Sequence, residues 1–118
     1  MTKSITVAVD AMGGDNSPKK IIEGIELYHK ENKDVLYNIF GNKNIIEKII
    51  LNKSINKKNY ELIHTDEKIE GEDSALSAAK RGKNTSMWLA IESVKNKSSD
   101  IVVSAGNTGA LFVIAKLN

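Results

Sequence analysis

The feature that most constrains the fold is an alternation of short, β-branched runs with helical patterns. The runs SITVAV at 4–9 and VLYNIFG at 35–41 are rich in apolar residues, and YELIH at 60–64 and DIVVSA at 100–105 repeat the pattern. Apolar runs of this length are typical of strands covered on both faces, as in a parallel sheet. The intervening helical spacing predicts βαβ units with right-handed crossovers. We therefore predict an α/β fold, a Rossmann-like three-layer α/β/α sandwich with a mainly parallel sheet.

Three segments between the strands carry clear helical patterns. Ser17 before Pro18 predicts a helix start, with the hydroxyl capping free amides and the proline in the first helical position. His29, in the lysine- and glutamate-rich end of this helix, is predicted to be a solvated surface residue. The predicted apolar faces are Ile21, Ile25 and Tyr28 in this helix; Ile45, Ile46, Ile49 and Ile50 in the second; and Met87, Ile91 and Val94 in the helix over 85–96.

The segment between the third and fourth strands is less regular. Residues 65–73 are polar and are predicted to form a loop, and SALSAAKRG at 74–82 predicts a short helix. Trp88 is predicted to belong to the core. His64 ends the third strand, where it either faces a site or has a structural role, and the residue type alone does not decide between them.

The composition excludes several classes of function. With 17 basic and 15 acidic residues the net charge is only +2, and 5% aromatic residues leave few stacking platforms, so nucleic-acid binding is not expected. The chain has no cysteine and only two histidines, which excludes thiolate chemistry and disfavours a zinc site. The N-terminal apolar run is too short for a secretory signal, so we expect a cytoplasmic protein.

The C-terminal pattern GALFVIAKL at 109–117 is apolar nearly all round and has no capping signal. A helix of this kind is normally covered by more protein. We therefore expect the sandwich to be truncated: the chain is either the front part of a longer α/β protein or depends on a partner chain.

Two glycine-containing junctions follow the first and fourth strands. In open parallel sheets, ligands bind beyond the carboxyl ends of the strands. In DAMGGD at 10–15, Gly13 and Gly14 allow close approach of a ligand to the backbone. Asp10 and Asp15 flank them and are expected to orient amides, hold a basic side chain or a metal, or cap the turn.

The second junction, SAGNTGA at 104–110, has the composition of an anion cradle. Gly106 and Gly109 leave amides exposed at a predicted helix start, whose partial positive charge favours an anion. Ser104, Asn107 and Thr108 add neutral donors. The stretch is neither a Walker loop nor a GxGxxG motif, and either junction is also compatible with a simple tight turn.

Taken together, three motifs resemble the bacterial phosphate acyltransferase family, the acyl-acyl-carrier-protein:phosphate acyltransferases of phospholipid synthesis. They are VAVDAMGGD, KNTSMWLAIESVK and DIVVSAGNTGALF, in this order. The resemblance covers the whole chain but only the N-terminal part of the family's length. It implies that residues 1–118 are the N-terminal part of a single α/β phosphate acyltransferase domain, with a fold similar to phosphotransacetylases.

The resemblance implies a homodimeric, cofactor-free transferase without a metal. Inorganic phosphate attacks the thioester of a fatty acyl-carrier protein and yields an acyl phosphate, and segments outside this chain would associate with the inner face of the cell membrane. Motif matching implies that the following residues line the substrate or phosphate site: Asp10, Gly13, Gly14, Asp15, Lys83, Ser86, Ser104, Gly106, Asn107, Thr108 and Gly109. It assigns no residue as an acid or base.

The sequence departs from the family pattern at Gly82 and Asn84, where the family commonly has a lysine and an acidic residue, so the resemblance assigns no role to these two positions. Two other functions remain open from the sequence. One is a phosphotransacetylase-like transfer from acyl-coenzyme A to phosphate, and the other is a non-enzymatic module for anion binding or dimerisation.

Overall fold

The computed structural model describes residues 4–66 and 85–105. Within these ranges four strands form one parallel sheet: β1 Thr6–Asp10, β2 Leu36–Gly41, β3 Tyr60–His64 and β4 Ile101–Ser104. The helices are α1 Lys19–Glu31, α2 Lys43–Ile50 and α3 Ser86–Lys95, and a short 3-10 helix spans Lys57–Asn59. The predicted Rossmann-like α/β fold with a parallel sheet is confirmed.

The strand order is β3-β2-β1-β4, so the chain reverses its direction across the sheet after β3. From β1 it moves stepwise outward to β2 and β3, and it then crosses to the far side of β1 to form β4. Opposite directions of right-handed crossovers place their helices on opposite faces of the sheet. The reversal leaves a topological switch point between β1 and β4, which is where open α/β sheets bind ligands.

The two faces of the sheet have separate cores. On one face α1 and α2 pack against the sheet, with Ile22, Ile39 and Ile46 fully buried. On the other face α3 packs through Ala90 against Ala8 and Phe40. The structure thus has the three layers that the sequence predicts.

Helix α1 differs from its prediction in both its start and its buried face. It begins at Lys19, with Pro18 as the N-cap residue, and the Ser17 hydroxyl donates to the Gly13 carbonyl instead of capping the helix. The buried residues are Ile22, Ile25 and His29, whereas Tyr28 is 55% exposed and Ile21 only half-buried. The predicted stripe was therefore displaced by one residue at its two ends.

The prediction that His29 is a surface residue was wrong. Its side chain is fully buried, and its Nε2 accepts a hydrogen bond from the Asn56 amide at 3.4 Å. Nε2 is thus unprotonated and the neutral ring carries its proton on Nδ1, which has no partner among the described residues. Burial, and secondarily the charge of Lys33, lower the pKa of His29 below its ordinary value of 6.5.

Helix α2 and its surroundings largely follow the sequence. Ile46 and Ile50 are buried, but Ile45, which the sequence predicts on the same apolar face, is 44% exposed. The Asn42 side chain caps the helix by accepting from the Ile45 amide. His64 Nδ1 accepts a hydrogen bond from the Lys43 amide at 3.0 Å, which ties the end of β3 to the start of α2. In the described part of the chain, no helix is long and apolar enough to cross a membrane.

Helix α3 follows its prediction, with Met87, Ile91 and Trp88 buried and Val94 packed at the edge of the α3-face core. The loop predicted over 65–73 is described only at its first two residues. The helices predicted over 74–82 and 109–117 lie outside the described residues.

Candidate functional site

The carboxyl ends of β1 and β4 lie side by side at the switch point. Asp10 and Ser104, the last residues of these strands, are register partners in the sheet. Side chains alternate along a strand, so both point to the α3 face while the preceding Val9 and Val103 point to the α1 face. The two junctions selected from the sequence therefore start from adjacent positions.

The Asp10 carboxylate is the centre of a hydrogen-bond cluster. It is 2% exposed, and it accepts from the Ser86 hydroxyl at 2.6 Å and from the Met12 amide at 3.2 Å through Oδ1. Its Oδ2 accepts from the Ser104 hydroxyl at 2.8 Å. A buried carboxylate is tolerable only when such donors replace water, and here they come from three separate segments of the chain. We call Asp10, Ser86 and Ser104 the Asp10 cluster.

The N-terminal cap of helix α3 places Ser86 in this cluster. Thr85 is the N-cap residue, and its hydroxyl oxygen accepts from the Trp88 amide at 3.1 Å. Ser86 is consequently the first helical residue, and it is fully buried beside the end of β1. The start of α3 also carries the partial positive charge of a helix dipole, which complements the Asp10 carboxylate.

The loop after β1 lies directly against the segment that follows β4. Gly14 has a φ of +88°, and a methyl group added to it would lie 2.8 Å from the Ala105 carbonyl oxygen. No other residue type fits this position without displacing the backbone. The two glycine-containing junctions are thus in contact.

The remaining residues of the first loop differ in exposure. Gly13 is buried and its carbonyl accepts from the Ser17 hydroxyl, whereas Gly14 and Asp15 are exposed at the carboxyl edge of the sheet. Five of the predicted site residues lie outside the described residues: Lys83, Gly106, Asn107, Thr108 and Gly109.

The geometry narrows the chemistry available to the Asp10 cluster. An ionised carboxylate only accepts hydrogen bonds. The Ser86 and Ser104 hydroxyls therefore donate to Asp10 rather than to an anion. Of the roles that the sequence left open for Asp10, the structure shows acceptance from a main-chain amide in the following turn. In residues 4–66 and 85–105, no three His, Cys, Asp or Glu side chains gather as a metal centre would require.

The sequence predicts that Asp10 orients amides, but it does not identify two main-chain groups of the site. The Met12 amide donates to Asp10, and the Ala105 carbonyl contacts Gly14. Because these contacts do not depend on side-chain identity, their sequence signals are indirect: Asp10 for the Met12 amide, and Gly14, which makes room for Ala105.

Comparisons with known proteins agree with the resemblance found in the motifs. A family model described as "Fatty acid synthesis protein" matches residues 5–118. A protein named phosphate acyltransferase from Pelagibacter ubique is 60% identical over 118 residues, which are all of this chain and 35% of the relative. Proteins of the same name from Enterococcus faecalis and Pediococcus pentosaceus are 46% identical over 90% of the chain and 42% identical over 94%. These two alignments cover 31% and 32% of the relatives' lengths, so the chain spans about a third of them.

Proposed function

The chain belongs to the fatty acid synthesis protein family, and we propose from this premise that it supplies the phosphate side of an acyltransferase site. The reaction is attack of an inorganic phosphate oxygen on the thioester carbonyl of a fatty acyl-acyl-carrier protein. The carbon–sulfur bond breaks, the carrier leaves as a thiolate and the product is an acyl phosphate. The name of the relatives supports transfer of an acyl group to phosphate.

One observation supports this assignment above the others: the glycine-containing junctions meet at the switch point. Gly14 and Ala105 are in contact, and the Asp10 cluster links the ends of β1 and β4 to the start of α3. A site assembled from backbone at this edge suits a nucleophile that needs positioning more than activation. Phosphate is already nucleophilic, and thiols are acidic enough to leave as anions near neutral pH.

The Asp10 cluster has a positioning role in this proposal. Since Ser86 and Ser104 donate to Asp10, we assign the phosphate donors to residues 106–109, which follow β4, as main-chain amides together with the side chains of Asn107 and Thr108. The same amides stabilise the oxyanion that develops on the thioester carbonyl. The Asp10 carboxylate accepts three hydrogen bonds from the protein, and in this proposal it makes no contact with phosphate.

The proposal extends to the assembly as a whole. We infer a homodimer in the cytoplasm, with peripheral association at the inner face of the membrane through segments outside this chain. In this proposal phosphate and thioester together supply every bond that is made or broken, and no cofactor or metal is invoked.

The decisive experiment uses full-length protein with acyl-acyl-carrier protein and inorganic phosphate. We expect release of free carrier thiol that depends on phosphate, and none without it. A parallel assay with acyl-coenzyme A as the donor distinguishes this reaction from the phosphotransacetylase-like alternative. Stabilisation by phosphate without turnover of either donor would instead indicate an anion-binding module.

A matched pair of variants tests the placement of the phosphate donors. Asn107→Ala should raise the KM for phosphate, because Asn107 lies in the proposed cradle. Asn44→Ala is the control, since Asn44 is exposed on α2. Equal phosphate kinetics in the two variants would remove residue 107 from the site.

A further inference from the structure

A long apolar groove runs along the α1 face of the sheet beside the switch point. Its volume is about 420 Å³, within the range of small-molecule sites. The floor is formed by β1 and β4, including Val7, Val9, Ile101 and Val103, and the wall by α1. Ile101 and Val103 are about half exposed there, at 51% and 48%. Exposed aliphatic side chains that lie together in a groove mark a binding surface more often than singly scattered ones do.

The groove has a polar end and an apolar end. Helix α1 starts at the carboxyl edge of the sheet, and Lys20 in its first turn is the one charged side chain among the described residues that line the groove. The opposite end is lined by Ile5, Val35 and the ring of Tyr28. The polar end therefore lies at the edge where Val9 and Val103 precede the Asp10–Ser104 pair.

Gly24 gives the wall of the groove an unusual composition. It lies in the middle of α1, where glycine costs about 1 kcal/mol relative to alanine. A methyl group added to Gly24 would have nothing within 4 Å, so neither close packing nor a positive φ requires a glycine. The absence of a side chain at Gly24 leaves space in the groove.

We propose that this groove binds the acyl chain of the thioester donor, with the carbonyl at the carboxyl edge and the tail along β1 and β4 toward Ile5. The inference rests on the proposed acyl transfer, and it assigns the chain to the face opposite the Asp10 cluster. The edge of the sheet then separates the phosphate-binding loops from the fatty tail. Gly24 sets the width of the groove.

The test compares thioesters of increasing chain length in full-length protein, with Gly24→Leu as the filling variant. Each methylene that enters the groove should raise kcat/KM by about fourfold in the wild type. Gly24→Leu places four carbons in the groove, and displacing even two methylenes lowers kcat/KM for long chains by about fifteenfold. For short-chain thioesters, kcat/KM in Gly24→Leu should equal that of the wild type.

Two further variants keep the test decisive. Ile101→Trp narrows the groove from the opposite side and should reproduce the selectivity of Gly24→Leu. Leu27→Phe adds bulk to the same helix at a position that is 68% exposed and outside the groove, and it should leave the chain-length profile unchanged. A profile that neither Gly24→Leu nor Ile101→Trp shifts would overturn the proposal.

A binding measurement separates failure of this inference from failure of the proposed reaction. A fluorescent long-chain fatty acid should bind wild type and Leu27→Phe, and bind Gly24→Leu at least tenfold more weakly. If that result is obtained without any phosphate-dependent turnover, the groove assignment stands and the reaction is rejected. If the groove is instead covered by protein, both filling variants should lower the melting temperature or dissociate an oligomer without altering fatty-acid binding, which would overturn the proposal.

Discussion

Replacing Asp10 tests whether one buried carboxylate holds the ends of β1 and β4 and the start of α3 together. Asp10→Ala removes the acceptor of the Ser86 hydroxyl, the Ser104 hydroxyl and the Met12 amide at once. Asp10→Asn keeps the shape and one acceptor oxygen, but it presents an amide group to one of the two hydroxyls. The two variants should therefore lower the free energy of unfolding by different amounts.

The magnitude follows from the burial of each donor. A hydrogen bond to a charged group contributes about 1.5–3 kcal/mol, and the fully buried Ser86 should approach the middle of this range. Ser104 is only half-buried and contributes less, about 1 kcal/mol. Asp10→Ala should thus lower the free energy of unfolding by about 3 kcal/mol and Asp10→Asn by about half as much. This is a large share of the roughly 5–15 kcal/mol of a typical domain.

Urea-induced unfolding followed by circular dichroism measures both values by linear extrapolation. Asp15→Asn is the matched control, because Asp15 is exposed in the same loop and should change stability by less than about 0.5 kcal/mol. A double-mutant cycle between Asp10→Asn and Ser86→Ala should give a coupling energy of about 1 kcal/mol or more. A cost for Asp10→Ala no greater than that of the Asp15 control would refute the reasoning.

Three further outcomes follow from single contacts. Gly14→Ala should destabilise the protein by about 1–3 kcal/mol, because the φ of +88° and the nearby Ala105 oxygen both oppose a Cβ atom. Gly24→Ala should be neutral or stabilising. Equal melting temperatures for the two variants would contradict this expectation. Thr85→Ala should cost about 1 kcal/mol in urea unfolding through loss of the α3 cap, with Thr85→Ser restoring most of it, and no difference between the two would argue against the cap. The unfolding free energy should fall as pH drops below about 6.5, because the lowered pKa of buried His29 lets the unfolded chain take up a proton that the folded chain resists. The contribution of His29 to the dependence of the unfolding free energy on pH is at most about 1.4 kcal/mol per pH unit. Urea titrations between about pH 7.5 and 5.5 should show a smaller pH dependence in His29→Gln than in the wild type. An unaltered pH dependence would assign the effect to other titratable groups.

The order and type of the described elements could be predicted from the sequence because each strand is a distinct apolar run. β3 occupies the predicted residues, and the other strands begin or end within two residues of their predicted bounds. The phase of α1 could not be predicted, since Ile21 and Ile22 are both apolar and only the sheet decides which of them faces inward. The same packing buries His29, whose ring fills a core position and whose Nε2 accepts from the Asn56 amide.

The candidate site was only partly predictable for a related reason. Asp10 and Ser104 each follow an apolar run, so each could be placed at the carboxyl edge of a strand. That they are register partners depends on strand order, which the local sequence does not encode. Ser86 joins them only because the chain crosses the sheet between β3 and β4 and starts α3 beside β1.

The contact between Gly14 and Ala105 couples the two loops mechanically, and this coupling bears on function. Asp10 fixes the strand ends, so a side chain at residue 14 can be accommodated only by moving the backbone at Ala105 or the first loop itself. Residue 106, the next in the chain, begins the proposed phosphate cradle, and misplacement by about 1 Å can cost on the order of a hundredfold in rate. Gly14→Ala should therefore impair phosphate use far more than its effect on stability would suggest. The two loops act as one site if that holds, and a variant that is destabilised yet unchanged in its KM for phosphate would show that they act separately.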